Sequence, residues 1–405
     1  METHLSRTLV IISILLSVIG IIVIYSATRD ETGLGTSRYM LQSMWFVAGI
    51  GVMYITSVLP IRFLQAMTIP VFVVVMILLV VVLASETVKG SSRWIRLGFI
   101  GIQPSELAKI AVIMALAQYL SQLRTNIHRP SVMATCGVIV ALPVFLILSQ
   151  PDLGTSIVFG AIFCGVLLWA GLSVLQLLLM VSPLIGVVIG VVSGFDWVIW
   201  SVFILIVAGI MYLKWPPRFV TVFLTVTHLA VGLGAEPLWD SLHDYQQQRV
   251  ETFLNPQVDP KGAGYQIIQS KIAIGSGGLL GRGFLQGSQT SLAFLPEQHT
   301  DFIFSVIAEE FGFIGSMAVL ILCYLFILIG IYIAMNVKSR YQSLLAAGCV
   351  SVFTFHVIMN VGMAVGVLPI AGIPLPFLSY GGSFLMTSLI LCGLLLNVWR
   401  HRFDY

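Results

Sequence analysis

The chain has 405 residues, of which 58% are hydrophobic and only 9% are charged, with 20 basic and 17 acidic side chains. A soluble globular chain carries about 25% charged residues, so this composition excludes a disordered chain, a secreted disulfide scaffold and a soluble enzyme. The small net charge of +3 gives no reason to expect a nucleic-acid partner. The five cysteines lie in apolar runs without a C-x-x-C pair and are predicted to be free thiols.

Apolar runs of about 20 residues recur along the whole chain, and this pattern predicts an all-α polytopic membrane protein. We expect one integral membrane domain over residues 1–405 with about 10–12 transmembrane helices. The candidate spans are 8–26, 42–60, 66–85, 105–123, 132–149, 154–170, 174–193, 197–213, 219–235, 302–335, 343–366 and 380–399. The weakest of them are 197–213 and 219–235, which are short and close together.

The distribution of basic residues between the spans predicts the orientation. With the N-terminus inside, the inner segments hold ten basic residues against two acids, whereas the outer segments hold nine basic residues and most of the acids. Because inner loops carry the excess of Lys and Arg, both termini are expected in the cytoplasm.

The segment 236–301 is long, polar and predicted to lie outside. The stretch 236–310 contains nine of the seventeen acids, together with enough aromatic and branched residues to argue against disorder. Residues 266–274 have the apolar spacing of a short amphipathic helix. We interpret this loop as the functional region of the chain.

Asp259 lies in the segment N-P-Q-V-D-P-K-G-A-G-Y, which covers residues 255–265 of this loop. Pro260 keeps Asp259 out of the helical region, and the two glycines that follow allow a tight turn. A carboxylate on a rigid turn at the membrane face suits a general base. The residues alone favour the plainer alternative, an aspartate that caps a turn.

The motif Q-P-S-E-L-A-K at 103–109 predicts the start of a helix, with Pro104 in its first turn. Glu106 and Lys109 are three residues apart and therefore share a helix face, where they can form an ion pair. The functional alternative is an anion site, in which Lys109, Arg93 and Arg96 lie near the helix N-terminus. The residues leave both alternatives open.

Two further segments contain candidate site residues. Glu297, His299 and Asp301 have donor atoms that suit a divalent ion, although helix capping by Thr300 or Asp301 is the stronger interpretation. The segment 372–383, G-I-P-L-P-F-L-S-Y-G-G-S, contains Ser379 and Tyr380 and predicts either a broken, re-entrant backbone lining a substrate groove or a plain turn. His228 and His356 lie within spans and are interpreted as hydrogen-bonded core histidines.

A glycine cluster at 275–283 raises the question of a nucleotide site. Its spacing fits neither the dinucleotide fingerprint nor a P-loop, and the segment is predicted to lie outside. We interpret it as a cluster of turns, so no organic cofactor is expected.

Taken together, these segments resemble the SEDS family of bacterial cell-wall polymerases (shape, elongation, division and sporulation). The matching stretches occur in family order outside 175–235. They are S-S-R-W-I-R-L-G at 91–98, Q-P-S-E-L-A-K-I-A at 103–111, Q-P-D-L-G-T-S at 150–156, H-D-Y-Q-Q-Q-R-V at 243–250, D-P-K-G-A-G-Y-Q-I-I-Q-S-K-I-A-I-G-S-G-G at 259–278, F-L-P-E-Q-H-T-D-F-I-F-S-V-I-A-E-E at 294–310 and 372–383. The versions at 274–278 and 294–304 are more similar to the elongation branch, RodA, than to the division branch, FtsW.

The resemblance implies a SEDS-type helical bundle in the bacterial cytoplasmic membrane. It implies that the bundle polymerises lipid II, a disaccharide-pentapeptide on undecaprenyl pyrophosphate, on the outer face of that membrane. It implies that Asp259 is catalytic, and it matches Arg93, Trp94, Glu106 and Lys109 to family motif positions. It also implies a class B penicillin-binding protein, a transpeptidase, as partner. The family usually has ten spans, so the two surplus spans in 175–235 are interpreted as an insertion that could contact a partner or membrane lipid.

The mechanism expected from the resemblance is an inverting glycosyl transfer for cell elongation and shape, with Asp259 as general base. A departing pyrophosphate requires cationic stabilisation. The candidates are Lys109, Arg93, Arg96, Arg249 and Lys271, alone or with a divalent cation such as Mg²⁺ or Mn²⁺. The alternatives are a lipid II flippase, an ion-coupled transporter and a scaffold for wall synthesis. A coupled transporter should place acids in mid-span and show repeated broken helices. The sequence shows no repeat, which favours the enzyme.

Overall fold

The fold is described from a computed structural model that covers residues 2–29, 38–83, 93–97, 100–122, 127–192, 194, 196–214, 218–241, 247, 263–292 and 294–403. Its helices are α1 (Glu2–Thr28), α2 (Arg38–Val58), α3 (Ile61–Leu83), α4 (Pro104–Gln122), α5 (Pro130–Leu148), α6 (Leu153–Trp169), α7 (Val174–Val192), α8 (Trp197–Lys214), α9 (Arg218–Ser241), α10 (Ala263–Gly277), α11 (Ser288–Ser291), α12 (Ile303–Met335), α13 (Arg340–Ala364) and α14 (Gly382–Arg400).

Each of the twelve predicted spans coincides with one of these helices, so the all-α polytopic class is confirmed. Within the described ranges, seven helices are long and apolar enough to cross a membrane: Leu5–Thr28, Arg38–Val58, Ile61–Leu83, Pro130–Leu148, Ile303–Met335, Arg340–Ala364 and Gly382–Arg400. α4 is not one of them, because charged and polar side chains such as Glu106 and Lys109 lower its hydropathy.

The chain divides into two compact units, which are described separately. The first comprises Met1–Arg124, Thr135–Val166 and Tyr265–Tyr405, and the second comprises Thr125–Ala134 and Leu167–Gly264. In the second unit, α7, α8 and α9 pack on one another around Leu179, Val207 and Leu224. His228 is buried there, with Nδ1 2.7 Å from the carbonyl oxygen of Leu224, as expected of a core histidine.

The first unit is organised around α4, which contacts α3, α13 and α14. Ala108, Ile113 and Leu116 on this helix have no exposed surface. Since apolar neighbours cover α4 along most of its length, its charged residues are also drawn into the interior. α14 packs along α2, and α12 packs along both α1 and α13.

A short antiparallel hairpin precedes α4 and was not predicted. Strand β1 (Ile95–Leu97) pairs with β2 (Ile100–Ile102), and Arg96 lies opposite Gly101. The backbone N–H of Gln103 donates to the hydroxyl of Ser383 at 3.2 Å, so the hairpin and the start of α4 are held against the start of α14.

Residues 365–381, here called the α13–α14 connector, are irregular and largely buried. Leu375 and Leu378 have no exposed surface. A methyl group on Gly20 of α1 would collide with the backbone of Leu378, so α1 lies directly against the connector. The broken, irregular backbone that was one of the two predicted forms of this segment is present and is enclosed by protein. Whether the segment lines a substrate groove stays a prediction.

The predicted outer loop 236–301 is described in part. α9 extends into it as far as Ser241, α10 covers the predicted amphipathic helix and is longer at both ends, and α11 follows. The description of 175–235 as an insertion stays a prediction.

Candidate active site

Three of the predicted site residues have no described side chain. Asp259 and Arg249 lie outside the described residues. For Arg96, only the backbone in β1 is described. The roles assigned to these side chains therefore stay predictions.

Glu106 and Lys109 form a buried ion pair, as their spacing predicted. The Lys109 ammonium lies 2.8 Å from Oε1 of Glu106, and the Lys109 and Glu106 side chains are 1% and 7% exposed. Oε2 of Glu106 has no hydrogen-bond partner among the described residues. Because Lys109 is enclosed, its charge cannot touch a ligand in this conformation.

His356 of α13 completes this cluster. Its Nε2 lies 3.4 Å from Nζ of Lys109, and its Nδ1 lies 2.9 Å from the carbonyl oxygen of Pro374 in the connector. The imidazole packs on Phe384 of α14, with ring centroids 4.9 Å apart, and the Lys109 ammonium lies 5.3 Å from the centroid of the Phe384 ring. The helices α4, α13 and α14 and the connector therefore meet around one ammonium group.

Arg93 is bound by the turn between α5 and α6. Its guanidinium donates to the carbonyl oxygens of Gln150 and Pro151, and its Nε lies 3.8 Å from Oδ2 of Asp152. Asp152 also accepts from the N–H and hydroxyl of Thr155 at 3.2 and 2.9 Å. Arg93 therefore links the segment before β1 to the α5–α6 turn.

Trp94, Lys271 and Glu297 are the predicted site residues with exposed side chains in the described part of the chain. The indole of Trp94 lies over Gly101 of β2 and is 43% exposed. Lys271 projects from α10 beside Gly366 of the connector. Among the described carboxylates, none lies within ion-pair distance of the Lys271 ammonium.

Ser379 is a structural residue of the connector. It is 1% exposed, and its hydroxyl donates to the carbonyl oxygen of Thr300 at 2.6 Å while accepting from the N–H of Leu375 at 2.8 Å. Its own carbonyl oxygen accepts from the Gln42 amide at 3.1 Å. These bonds leave the Ser379 hydroxyl enclosed within the protein.

His299 and Tyr380 lie together in the first unit. The Tyr380 N–H donates to the carbonyl oxygen of His299 at 2.9 Å, and the centroids of the two rings are 5.6 Å apart. Nη1 of Arg38 lies 2.7 Å from Nε2 of His299. Burial, followed by the neighbouring Arg38 charge, lowers the pKa of His299 to about 4, against an opposing effect of Glu297. Burial raises the pKa of Tyr380.

The predicted divalent-ion ligands are not gathered into a site. Among the described residues, no three His, Cys, Asp or Glu side chains come together to hold a metal ion. His299 is engaged by Arg38, and Glu297 accepts from the Thr300 hydroxyl. At the start of α12, the N-cap position is occupied by Phe302 and not by Thr300 or Asp301.

Nearly the whole chain matches the model of one protein family. The family is FtsW/RodA/SpoVE, described as cell cycle proteins, and the matched residues are 6–199 and 194–403. The chain belongs to this family. It is 36% identical over 404 residues to the peptidoglycan glycosyltransferase MrdB of Escherichia coli, with 99% of this chain and 95% of that protein covered.

Other similarities agree with this membership. The chain is 39% identical over 420 residues to the peptidoglycan glycosyltransferase RodA of Treponema pallidum, with 95% and 94% of the two chains covered. A solved structure of a peptidoglycan synthase complex superposes with a TM-score of 0.74 at 29% identity, covering 98% of each chain. The predicted SEDS membership and likeness to RodA are confirmed, and the chain is a multi-pass membrane protein with peptidoglycan glycosyltransferase activity.

Sequence reasoning missed three members of the described network. These are His356 as a partner of Lys109, Arg38 as a partner of His299, and Asp152 as a partner of Arg93. The available signals were the occurrence of His356 inside a span and of Asp152 inside a family-like motif.

Proposed function

We propose that this chain polymerises lipid II into glycan strands on the outer face of the cytoplasmic membrane, with Asp259 as the general base. The match of nearly the whole chain to peptidoglycan glycosyltransferases carries this proposal. The sequence D-P-K-G-A-G-Y supports the choice of base, since the resemblance matches Asp259 to the essential aspartate of this family motif.

In the proposed step, the 4-hydroxyl of the acceptor GlcNAc attacks the anomeric carbon of the donor MurNAc. Asp259 takes the hydroxyl proton, a new C–O bond forms, and the bond to the lipid pyrophosphate breaks with its electron pair on the departing oxygen. One such displacement converts the α-linked pyrophosphate into a β-1,4 bond. The charge on the leaving group requires a cation nearby.

Lys271 is the described residue best suited to contact that pyrophosphate. It is exposed, it lies on the helix that follows Asp259, and no described carboxylate neutralises it. Lys109 is enclosed and paired with Glu106, so we assign it an indirect effect through the local field. Arg96 and Arg249 remain candidates for the same contact. We derive no step through a divalent cation, because the described residues do not form a site for one.

Two further features belong to the proposal. Both termini are placed in the cytoplasm, which the distribution of basic residues supports. The partner is a class B penicillin-binding protein, which would cross-link the strands as they form. The likeness to a peptidoglycan synthase complex supports this pairing.

The test is a gel assay of glycan products from purified protein and lipid II, with and without the transpeptidase. Asp259→Ala should abolish the ladder of products, whereas Glu251→Ala, an acid from the same predicted loop, should retain it. Parallel reactions with Mg²⁺, Mn²⁺ or EDTA test the need for a metal. A wild-type rate in Asp259→Ala would exclude Asp259 as the base. No ladder from wild type with partner and metal present would favour a flippase, which a vesicle translocation assay would detect.

A further inference from the structure

We propose that His356 is a positioning residue for glycosyl transfer, which orients the Lys109 ammonium and couples the Glu106–Lys109 pair to the α13–α14 connector. The inference rests on the proposed function. His356 is 1% exposed and lies outside the family motifs quoted above.

The neighbours of His356 determine the tautomer of its imidazole. The carbonyl oxygen of Pro374 can only accept, so Nδ1 of His356, 2.9 Å away, carries a proton. The ammonium of Lys109 can only donate, so Nε2, 3.4 Å away, presents a lone pair. The imidazole is therefore neutral and has one defined orientation, because a hydrogen bond at one ring nitrogen determines what the other can do.

The buried ammonium of Lys109 needs more than one hydrogen-bond acceptor. An ammonium has three N–H donors, and Glu106 Oε1 accepts one of them at 2.8 Å. A buried charge with unpaired donors is unfavourable. His356 supplies the next acceptor, while the face of Phe384 lies 5.3 Å from Nζ. Without the imidazole, the ammonium would have fewer interactions holding it in one rotamer.

The connector contacts both His356 and the segment before α12. Pro374 contacts His356, and five residues later Ser379 donates to Thr300 in the segment before α12. Asn360, one turn after His356 on α13, donates to the carbonyl oxygens of Asp301 and Ile373. A shift of the connector would therefore move the His356 ring and, with it, the acceptor that faces the Lys109 ammonium.

The test compares three substitutions in the full-length protein with lipid II as substrate. His356→Gln can present a side-chain acceptor toward Lys109, His356→Asn retains a donor toward Pro374 but is too short for Lys109, and His356→Leu removes both interactions. We expect His356→Leu to lower kcat at least about tenfold, as for loss of a hydrogen bond to a charged group, with KM nearly unchanged. His356→Gln should recover most of that loss, and His356→Asn should not.

A double-mutant cycle tests whether His356 acts through Lys109. In the Lys109→Met background, with long incubations that resolve the residual rate, His356→Leu should cause no further loss of kcat. The matched control is His228→Leu, since His228 is also buried and bonded through Nδ1 to a carbonyl oxygen. We expect that control to lower the unfolding temperature while keeping kcat within about twofold of wild type.

The inference and the proposed function fail in different ways. A folded His356→Leu variant with wild-type kcat, or losses that simply add in the Lys109→Met background, would overturn the positioning role alone. A folded His356→Gln variant that is no better than His356→Leu would overturn it as well. Absence of product from wild type itself would count against the proposed function and, with it, this inference.

Discussion

The carboxylate of Glu309 accepts hydrogen bonds from both the backbone N–H and the hydroxyl of Thr290, at 3.1 and 2.7 Å. It accepts a further bond from the N–H of Gln289 at 2.8 Å. Glu309 lies in the second turn of α12 and has no exposed surface. A side chain of α12 therefore satisfies the backbone of the short helix α11 and fixes the end of the predicted outer loop.

Glu309→Gln should destabilise the first unit, because one acceptor oxygen becomes an NH₂ group that faces backbone donors. We expect a loss of about 1–3 kcal/mol in the free energy of unfolding, the usual cost of leaving a buried donor unsatisfied. The adjacent Glu310→Gln is the matched control. Glu310 accepts from the Ser26 hydroxyl through one oxygen, and the amide oxygen of a glutamine can keep that bond. Thermal unfolding in detergent would measure both, and equal losses would contradict this account.

The sequence predicted the helices well because each depends on a continuous local run. All twelve apolar runs form helices, since a run of that length is a strong and local signal. The Glu106–Lys109 pair was also predictable, because three-residue spacing places both side chains on one helix face. The start of α4 at Pro104 was predictable too. Proline lacks a backbone N–H, and the N–H groups in the first turn of a helix have no partner within the helix.

The contacts that organise the site were not predictable in this way. Lys109 and His356 are 247 residues apart in the chain, and Arg38 and His299 are 261 apart. No periodicity relates such positions, since their proximity depends on which helices pack together. Arg93 shows the consequence: its charge suggested an anion site, whereas the fold surrounds it with backbone carbonyl oxygens of the α5–α6 turn.

The stability of the first unit should depend on pH through His299. Its pKa is lowered from the ordinary 6.5 to about 4 in the folded chain. Between these two pH values, His299 is therefore protonated in the unfolded chain and neutral in the folded chain. The free energy of unfolding should therefore fall as the pH drops from about 6.5 to about 4. Unfolding temperatures measured across this range should show a weaker fall in His299→Gln. Arg38→Gln should also weaken it, since it removes one cause of the lowered pKa; an unchanged slope in both variants would contradict the assignment.

Arg93→Lys should weaken the contacts that link the segment before β1 to the α5–α6 turn. A guanidinium can donate to several acceptors at once, whereas an ammonium on a flexible stem cannot match that planar geometry. We expect a lower unfolding temperature, with the KM for lipid II nearly unchanged, because the group is engaged by the protein itself. Asp152→Asn should have an effect in the same direction, since it removes the ion pair. A large increase in KM without loss of stability would instead indicate that Arg93 binds substrate.

Lys271→Ala should raise the KM for lipid II while leaving the fold intact. An exposed ammonium about 4 Å from a pyrophosphate charge contributes about 1 kcal/mol in water, which corresponds to roughly fivefold in affinity. Lys271→Glu should cause a larger increase, because it replaces attraction with repulsion, and added salt should reduce both effects. The control is Lys338→Ala, located between α12 and α13 on the predicted inner side, which should leave KM unchanged. Steady-state rates across lipid II concentrations would measure these effects, and equal KM values in all variants would exclude Lys271 from pyrophosphate binding.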